Sequence, residues 1–163
     1  MKLEIIESTG YLQIDEARIV YRNFEGRQGL YNDEGDRSFS LVIPNQEIAD
    51  MLIDLGWNVR IKAPRMEGEE PFIHLPVKVK FNSRGPACYL VNTRGNQIRL
   101  DEESVEILDK IDIADVSVDI RPYDWEHGRQ KGRSAYLHAI KVKQAVTDRF
   151  TEEYNAFEQE PTF

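Results

Sequence analysis

Eleven residues, "YDWEHGRQKGR" (123–133), place two large aromatic rings among three strong cations, with little apolar sequence nearby to bury the rings. Rings held at a surface can stack on flat partners, and cations beside them can replace the counterions of a polyanion. Tyr123, Trp125, Arg129, Lys131 and Arg133 therefore have the chemistry to bind unstacked nucleic-acid bases together with their phosphates. Three further sets of cations alternate with apolar residues, as on the solvent face of strands: Arg60 with Lys62, Lys78 with Lys80, and Lys141 and Lys143 with Arg121. Any single pair of this kind also serves to keep a strand edge from aggregating. Several of them in one acidic chain call for a polyanionic partner. Arg22, bracketed by Tyr21 and Phe24, and Tyr89 complete the candidate surface, with Phe24 and Tyr89 as additional stacking residues.

Other chemistries find little support. Asp124, Glu126 and His127 are crowded, yet neighbouring loop residues of this kind point into water, and His74 and His138 have no second ligand at a metal-binding spacing. No glycine-rich phosphate loop, serine elbow or paired cysteine and histidine occurs. Cys88, the only cysteine, excludes an internal disulfide and reads as a buried, inert thiol. The expectation is a protein without catalytic residues, metal or cofactor.

The charge distribution sharpens this. The chain has 163 residues and a formal net charge of −8, which alone argues against a nucleic-acid binder. Yet between Pro71 and Arg99 there are five basic residues and no acid, while acids gather in "DEESVEILDKIDIADVSVD" and after Val146. No apolar run approaches the ~20 residues of a membrane span, and the start has no signal-peptide pattern, so a cytoplasmic protein without membrane association is expected.

The elements that must position these residues are mostly strands. "RIVYRNF" (18–24), "RSFSLVI" (37–43), "WNVRIK", "FIHLPVKVKF", "ACYLVNT" and "QIRL" read as strands, with Ile73, Leu75, Val77, Val79 and Phe81 inward and Lys78 and Lys80 outward. "NQEIADMLIDLG" (45–56) reads as a helix capped by Asn45 and ended by Gly56, with Ile48, Met51, Leu52 and Leu55 as its apolar stripe. "DEESVEILDKI" reads as a second helix whose acids suit the positive end of the dipole. "VSVDIRPY" and "SAYLHAIKVKQAV" form a hairpin, the second strand bulged where apolar parity changes between Leu137 and Ile140. "DWEHGRQKGR" between them is expected to be a long projecting finger. The expected fold is mainly β, an OB-fold-like antiparallel barrel with one or two inserted helices; a β-sandwich is the alternative.

This order of elements, "RIVYRNF", "RSFSLVIP", a helix and a late "VSVDIRPYDWEHGRQKGRSAYLHAIKVKQA", resembles the OB-fold single-stranded-DNA-binding proteins of tailed phages, the T7-type protein among them. The resemblance covers most of residues 15–146. It implies a protein of the bacterial host cytoplasm that coats single-stranded DNA and recruits replication or recombination enzymes, and it leaves a homodimer open.

The last residues fit the same pattern. "TEEYNAFEQEPTF" resembles the acidic, aromatic-ended tails of phage and bacterial single-stranded-DNA-binding proteins. The expected division is a nucleic-acid-binding domain over 1–146 and a flexible acidic tail over 147–163. Glu158, Glu160, Pro161 and Phe163 are the expected partner-binding residues, the Phe163 ring entering an apolar pocket while its carboxylate meets a basic rim. The competing reading is an adaptor, or an inhibitor of a host factor, that uses the same β-domain without nucleic acid.

Overall fold

The alternation in "FIHLPVKV" builds the strand on which the rest of the architecture hangs. In a computed structural model, which describes residues 1–146, this strand buries Ile73, Leu75, Val77 and Val79 on one face. Phe72, His74, Pro76 and Lys78 therefore share the other face, because strand side chains alternate. Lys80, one position past the end of the strand, continues that parity. The strands are β1 (Lys2–Ile5), β2 (Leu12–Asp15), β3 (Ile19–Asn23), β4 (Arg37–Val42), β5 (Arg60–Lys62), β6 (Phe72–Val79), β7 (Ala87–Val91), β8 (Gln97–Leu100), β9 (Ile113–His127) and β10 (Gln130–Gln144), with α1 at Gln46–Asp54.

They form one sheet, ordered β1-β2-β9-β10-β6-β4-β3, that does not close on itself. β5 adds to the start of β6, and β7 joins β10 and carries β8. The pairing is not wholly antiparallel, since β10 runs parallel to both β6 and β7. The fold is OB-like and mainly β, as the strand pattern leads one to expect. β6 lies along β4 on one side, while its other side meets β5 first and β10 later. Pro76 falls between those two partners, where the missing N–H breaks no ladder.

β1 and β2 have no counterpart among the expected strands, although Leu12 and Ile14 alternate and are almost wholly buried against β9. α1 is capped as expected: the Asn45 side chain accepts from Ile48 N–H at 2.9 Å, and Gly56 follows with φ +92°. Its buried residues, however, are Ala49 and Leu52, and Met51 and Leu55 remain partly exposed.

The acidic segment is a 3-10 helix, Val105–Asp109, rather than a second α-helix. Val105 and Leu108 are its buried residues, a spacing of three that suits a helix with three residues per turn, and Ile111 just beyond it is buried as well. The core is continuous and includes Cys88, whose thiol burial pushes up to about 12. The tail over 147–163, including Glu158, Glu160, Pro161 and Phe163, lies outside the described residues. No helix among the described residues is long and apolar enough to cross a membrane.

Candidate nucleic-acid interface

The hairpin β9–β10 positions the aromatic residues. It is not closed by a long loop: the strands pair up to His127 and Gln130, leaving a two-residue turn at Gly128 and Arg129. Gly128 takes φ +64°, and glycine at the first turn position is what such a tight hairpin favours. Beyond Arg121 and before Ala135 no third strand among the described residues lies alongside, except for a single bridge between Trp57 and Arg133. The finger therefore projects, as a twisted ribbon.

This register decides which side chains meet. Trp125 lies opposite Gly132, Tyr123 opposite Ser134, and Arg121 opposite Tyr136. Tyr136 is in turn beside Lys78 of β6. All of these share the outer face. The Tyr136 ring lies at the centre of three cations, with the Arg121 guanidinium 4.9 Å, Lys78 Nζ 5.7 Å and Lys80 Nζ 5.9 Å from its centroid. Such distances are within cation–π range. Tyr123 meets Tyr136 edge-on at 5.6 Å. A groove of about 530 Å³ runs past Trp125, Tyr123, Tyr136, Lys78 and Arg60. No ion pair among the described residues involves Arg60, Lys62, Lys78, Lys80 or Arg121. Among the described residues this face is therefore positive and without ion-pair partners.

Tyr136 is the residue that reading the sequence missed. It sits at an outward position of a recognisable strand, but only the neighbouring strands make it the centre of the site.

Other expected residues belong elsewhere. Phe24 is fully buried and stacks on Phe39 at 5.4 Å, so it is a core residue and offers no platform to a base. Arg22 donates through one Nη to the carbonyls of Leu108 (2.6 Å) and Ile111 (2.8 Å), tying β3 to the 3-10 segment. Asp109 completes that junction by accepting from the N–H groups of Phe24 and Glu25. Arg133 is on the ribbon face away from Trp125. It donates through Nε and Nη2 to the two oxygens of Asp124, at 2.7 and 3.2 Å, and its guanidinium lies 5.5 Å from the Trp57 ring. The same hydrogen bond holds the Asp124 carboxyl below its ordinary range. Lys131 is on that face too, opposite Glu126, and Arg129 occupies the turn.

Lys141 and Lys143 share the outward face of Arg121 once the bulge after Leu137 is passed, but they lie opposite Ser117 and Asp115, too far along β9 to join it. Lys141 lies beside Tyr89, whose hydroxyl accepts from Arg99 at 3.4 Å. This is a second, separate cluster, five residues along β10 from Tyr136, or roughly 16 Å at the usual strand rise. No group of metal-ligating side chains that could hold an ion occurs among the described residues.

The comparisons with known proteins bear on this geometry. No curated protein matches the chain in sequence. Among solved structures, the single-stranded DNA-binding protein from bacteriophage Enc34 in complex with ssDNA shares 19% identity at a TM-score of 0.53, over 90% of this chain and 93% of that one. A C-terminal truncation of the same protein gives 18% and 0.52, over 88% and 90% of the two chains. At these identities the likeness is one of fold. The single-stranded DNA-binding protein gp2.5 of bacteriophage T7 is more distant, at 11% identity and a TM-score of 0.43 over 95% and 98% of the chains, and no conclusion rests on it. The family model for the phage ssDNA-binding domain matches residues 4–159, nearly the whole sequence, and the chain belongs to that family.

Proposed function

We propose that this protein binds single-stranded DNA along the outer face of β6, β9 and β10, by contact alone and without catalysis. Phosphates are held by Arg60, Lys78, Lys80 and Arg121, and bases rest on Trp125, Tyr123 and Tyr136. The observation that carries this reading is Tyr136, surrounded by three cations beside a ring-lined groove. Membership of the phage ssDNA-binding family supports it. Exposed ring faces select single strands, because a duplex keeps its bases stacked and offers no face to share.

The segment 147–163 has a second role in this proposal. It carries five acids and one arginine, a net of −4 out of the chain's −8. Tethered near a basic groove it competes with phosphate, and when displaced it is available to recruit replication or recombination proteins.

Fluorescence anisotropy of labelled oligo(dT) tests the binding claim. Saturable binding at low salt, much weaker binding to a duplex of equal length, and log affinity falling linearly with log salt are expected. Failure to bind oligo(dT) at low salt would refute it.

A further inference from the structure

Tyr21 has a backbone that its residue type disfavours. Its φ is +53°, in the left-handed region, at a register break in β3 between Val20 and Asn23. A bulky side chain there is a conformational outlier, and outliers of this kind cluster at functional sites. Nothing in the core needs the ring, because Tyr21 is 62% exposed.

The bulge sends neighbouring residues to opposite duties. Arg22 is committed to backbone carbonyls of the 3-10 segment. Tyr21 instead meets Phe72 edge-on at 6.0 Å and His74 edge-on at 5.7 Å. Phe72 and His74 stack on each other at 5.2 Å, and His74 Nδ1 is 2.9 Å from Ser40 Oγ. Across the β5–β6 ladder, Arg60 is opposite His74 and Lys62 is opposite Phe72, on the same face. Two cations thus accompany three mutually contacting rings, and of these five residues only Arg60 also lines the groove already described.

We propose that Tyr21, Phe72 and His74 form a second base-stacking platform, with Arg60 and Lys62 holding the adjoining phosphates, so that the DNA path continues along β6. The outer face of that strand reads Phe72, His74, Pro76 and Lys78, with Lys80 following. Four positions separate His74 from Lys78, about 13 Å at a strand's rise, and Arg60 borders both sites. The aromatic–cationic pairing of the first groove is therefore repeated, in line with it. This inference rests on the proposed single-strand binding.

The test compares oligo(dT) affinity, by anisotropy at fixed salt, for the full chain and for Tyr21→Gly, Phe72→Ala and Trp125→Ala. Glycine adopts φ +53° without strain, so Tyr21→Gly removes the ring while leaving the fold as stable or more so. Losing one stacked base weakens binding roughly 5- to 150-fold. Tyr21→Gly and Phe72→Ala should each lose affinity in that range, Tyr21→Gly with no fall in Tm. An oligonucleotide bearing 5-iodouracil should also photocrosslink to the Tyr21 or Phe72 peptide. Wild-type affinity in Tyr21→Gly alongside a loss in Trp125→Ala would overturn the second platform and leave the first intact. A wild-type chain that does not bind oligo(dT) would remove the reading beneath both.

Discussion

The indole of Trp125 lies directly over Gly132, its cross-strand partner: a β-carbon at position 132 would sit 2.7 Å from the ring. Gly132 does not have the left-handed backbone that usually calls for glycine. What needs glycine here is the ring, which rests on a bare stretch of the opposite strand and stays 39% exposed. Gly132 thus sets the position of the ring proposed to stack on DNA. Gly132→Ala should therefore weaken oligo(dT) binding by about 1–3 kcal/mol, as Trp125→Ala should, by tilting the indole away from the groove. The double variant should lose little more than either single one. Equilibrium titration of the three variants checks this, and additive losses would show that Gly132 acts by another route.

Lys78 and Lys80 hold phosphates in this account and read no base. Replacing both by alanine should weaken binding to all sequences alike. It should also reduce the slope of log affinity against log salt by about 0.7 for each phosphate no longer neutralised. A salt titration on oligo(dT) and on a mixed-sequence oligonucleotide measures both effects.

Arg22 and Phe24 should affect stability and leave binding unchanged. Phe24→Ala empties a fully buried site stacked on Phe39 and should cost about 3–5 kcal/mol. Arg22→Ala removes charge-assisted hydrogen bonds to two carbonyls and should cost about 1.5–3 kcal/mol. Urea denaturation measures these losses, and DNA affinity per folded molecule should remain that of the wild type.

His74 gives stability a pH dependence of defined sign. Burial first, then Arg60 and Lys62, lowers its pKa below the ordinary 6.5. Below pH 6.5 the unfolded chain therefore takes up a proton that the native state resists. The contribution is complete above pH 6.5 and is lost as pH falls through the folded value. His74→Gln should flatten the fall in Tm between pH 7 and 5.5. Bound phosphates offset the charges of Arg60 and Lys62, so DNA should favour protonated His74, and affinity should rise over the same pH window.

Truncation after Val146 should tighten oligo(dT) binding at low salt, with the gain fading as salt screens the competition. It should also abolish capture of the cognate replication or recombination protein. Weaker DNA binding after truncation would place the segment in the DNA site itself.

Much of the sheet is legible because burial writes a period of two into the sequence. The inward and outward sets of β6 and β9 follow from it, as does the bulge of β10, where apolar parity changes. The finger's faces are not legible. Whether Trp125 meets Gly132 depends on a two-residue turn at Gly128 and Arg129, and a turn one residue longer would set different neighbours opposite. The same dependence turns Arg133 and Lys131 away from the ring. Arg22 and Phe24 depart from the expected surface because the left-handed Tyr21 between Val20 and Asn23 breaks the alternation, and a tyrosine gives no warning of that. Tyr136 illustrates the remaining limit: its three cations come from β6, from the residue just past it and from β9, and only long-range register brings them together.

The central claim is that DNA lies on the Trp125–Tyr136 face, and the emission of Trp125 tests it most directly. Trp57 is buried in the core, so a Trp57→Phe chain leaves Trp125 as the sole indole reporter. Adding oligo(dT) to this chain should quench its emission saturably, in step with anisotropy of the labelled oligonucleotide, and the quench should weaken as salt rises. Binding by anisotropy with the Trp125 emission unchanged would put the DNA elsewhere, with the Tyr89 and Lys141 cluster next in line, and would contradict the account.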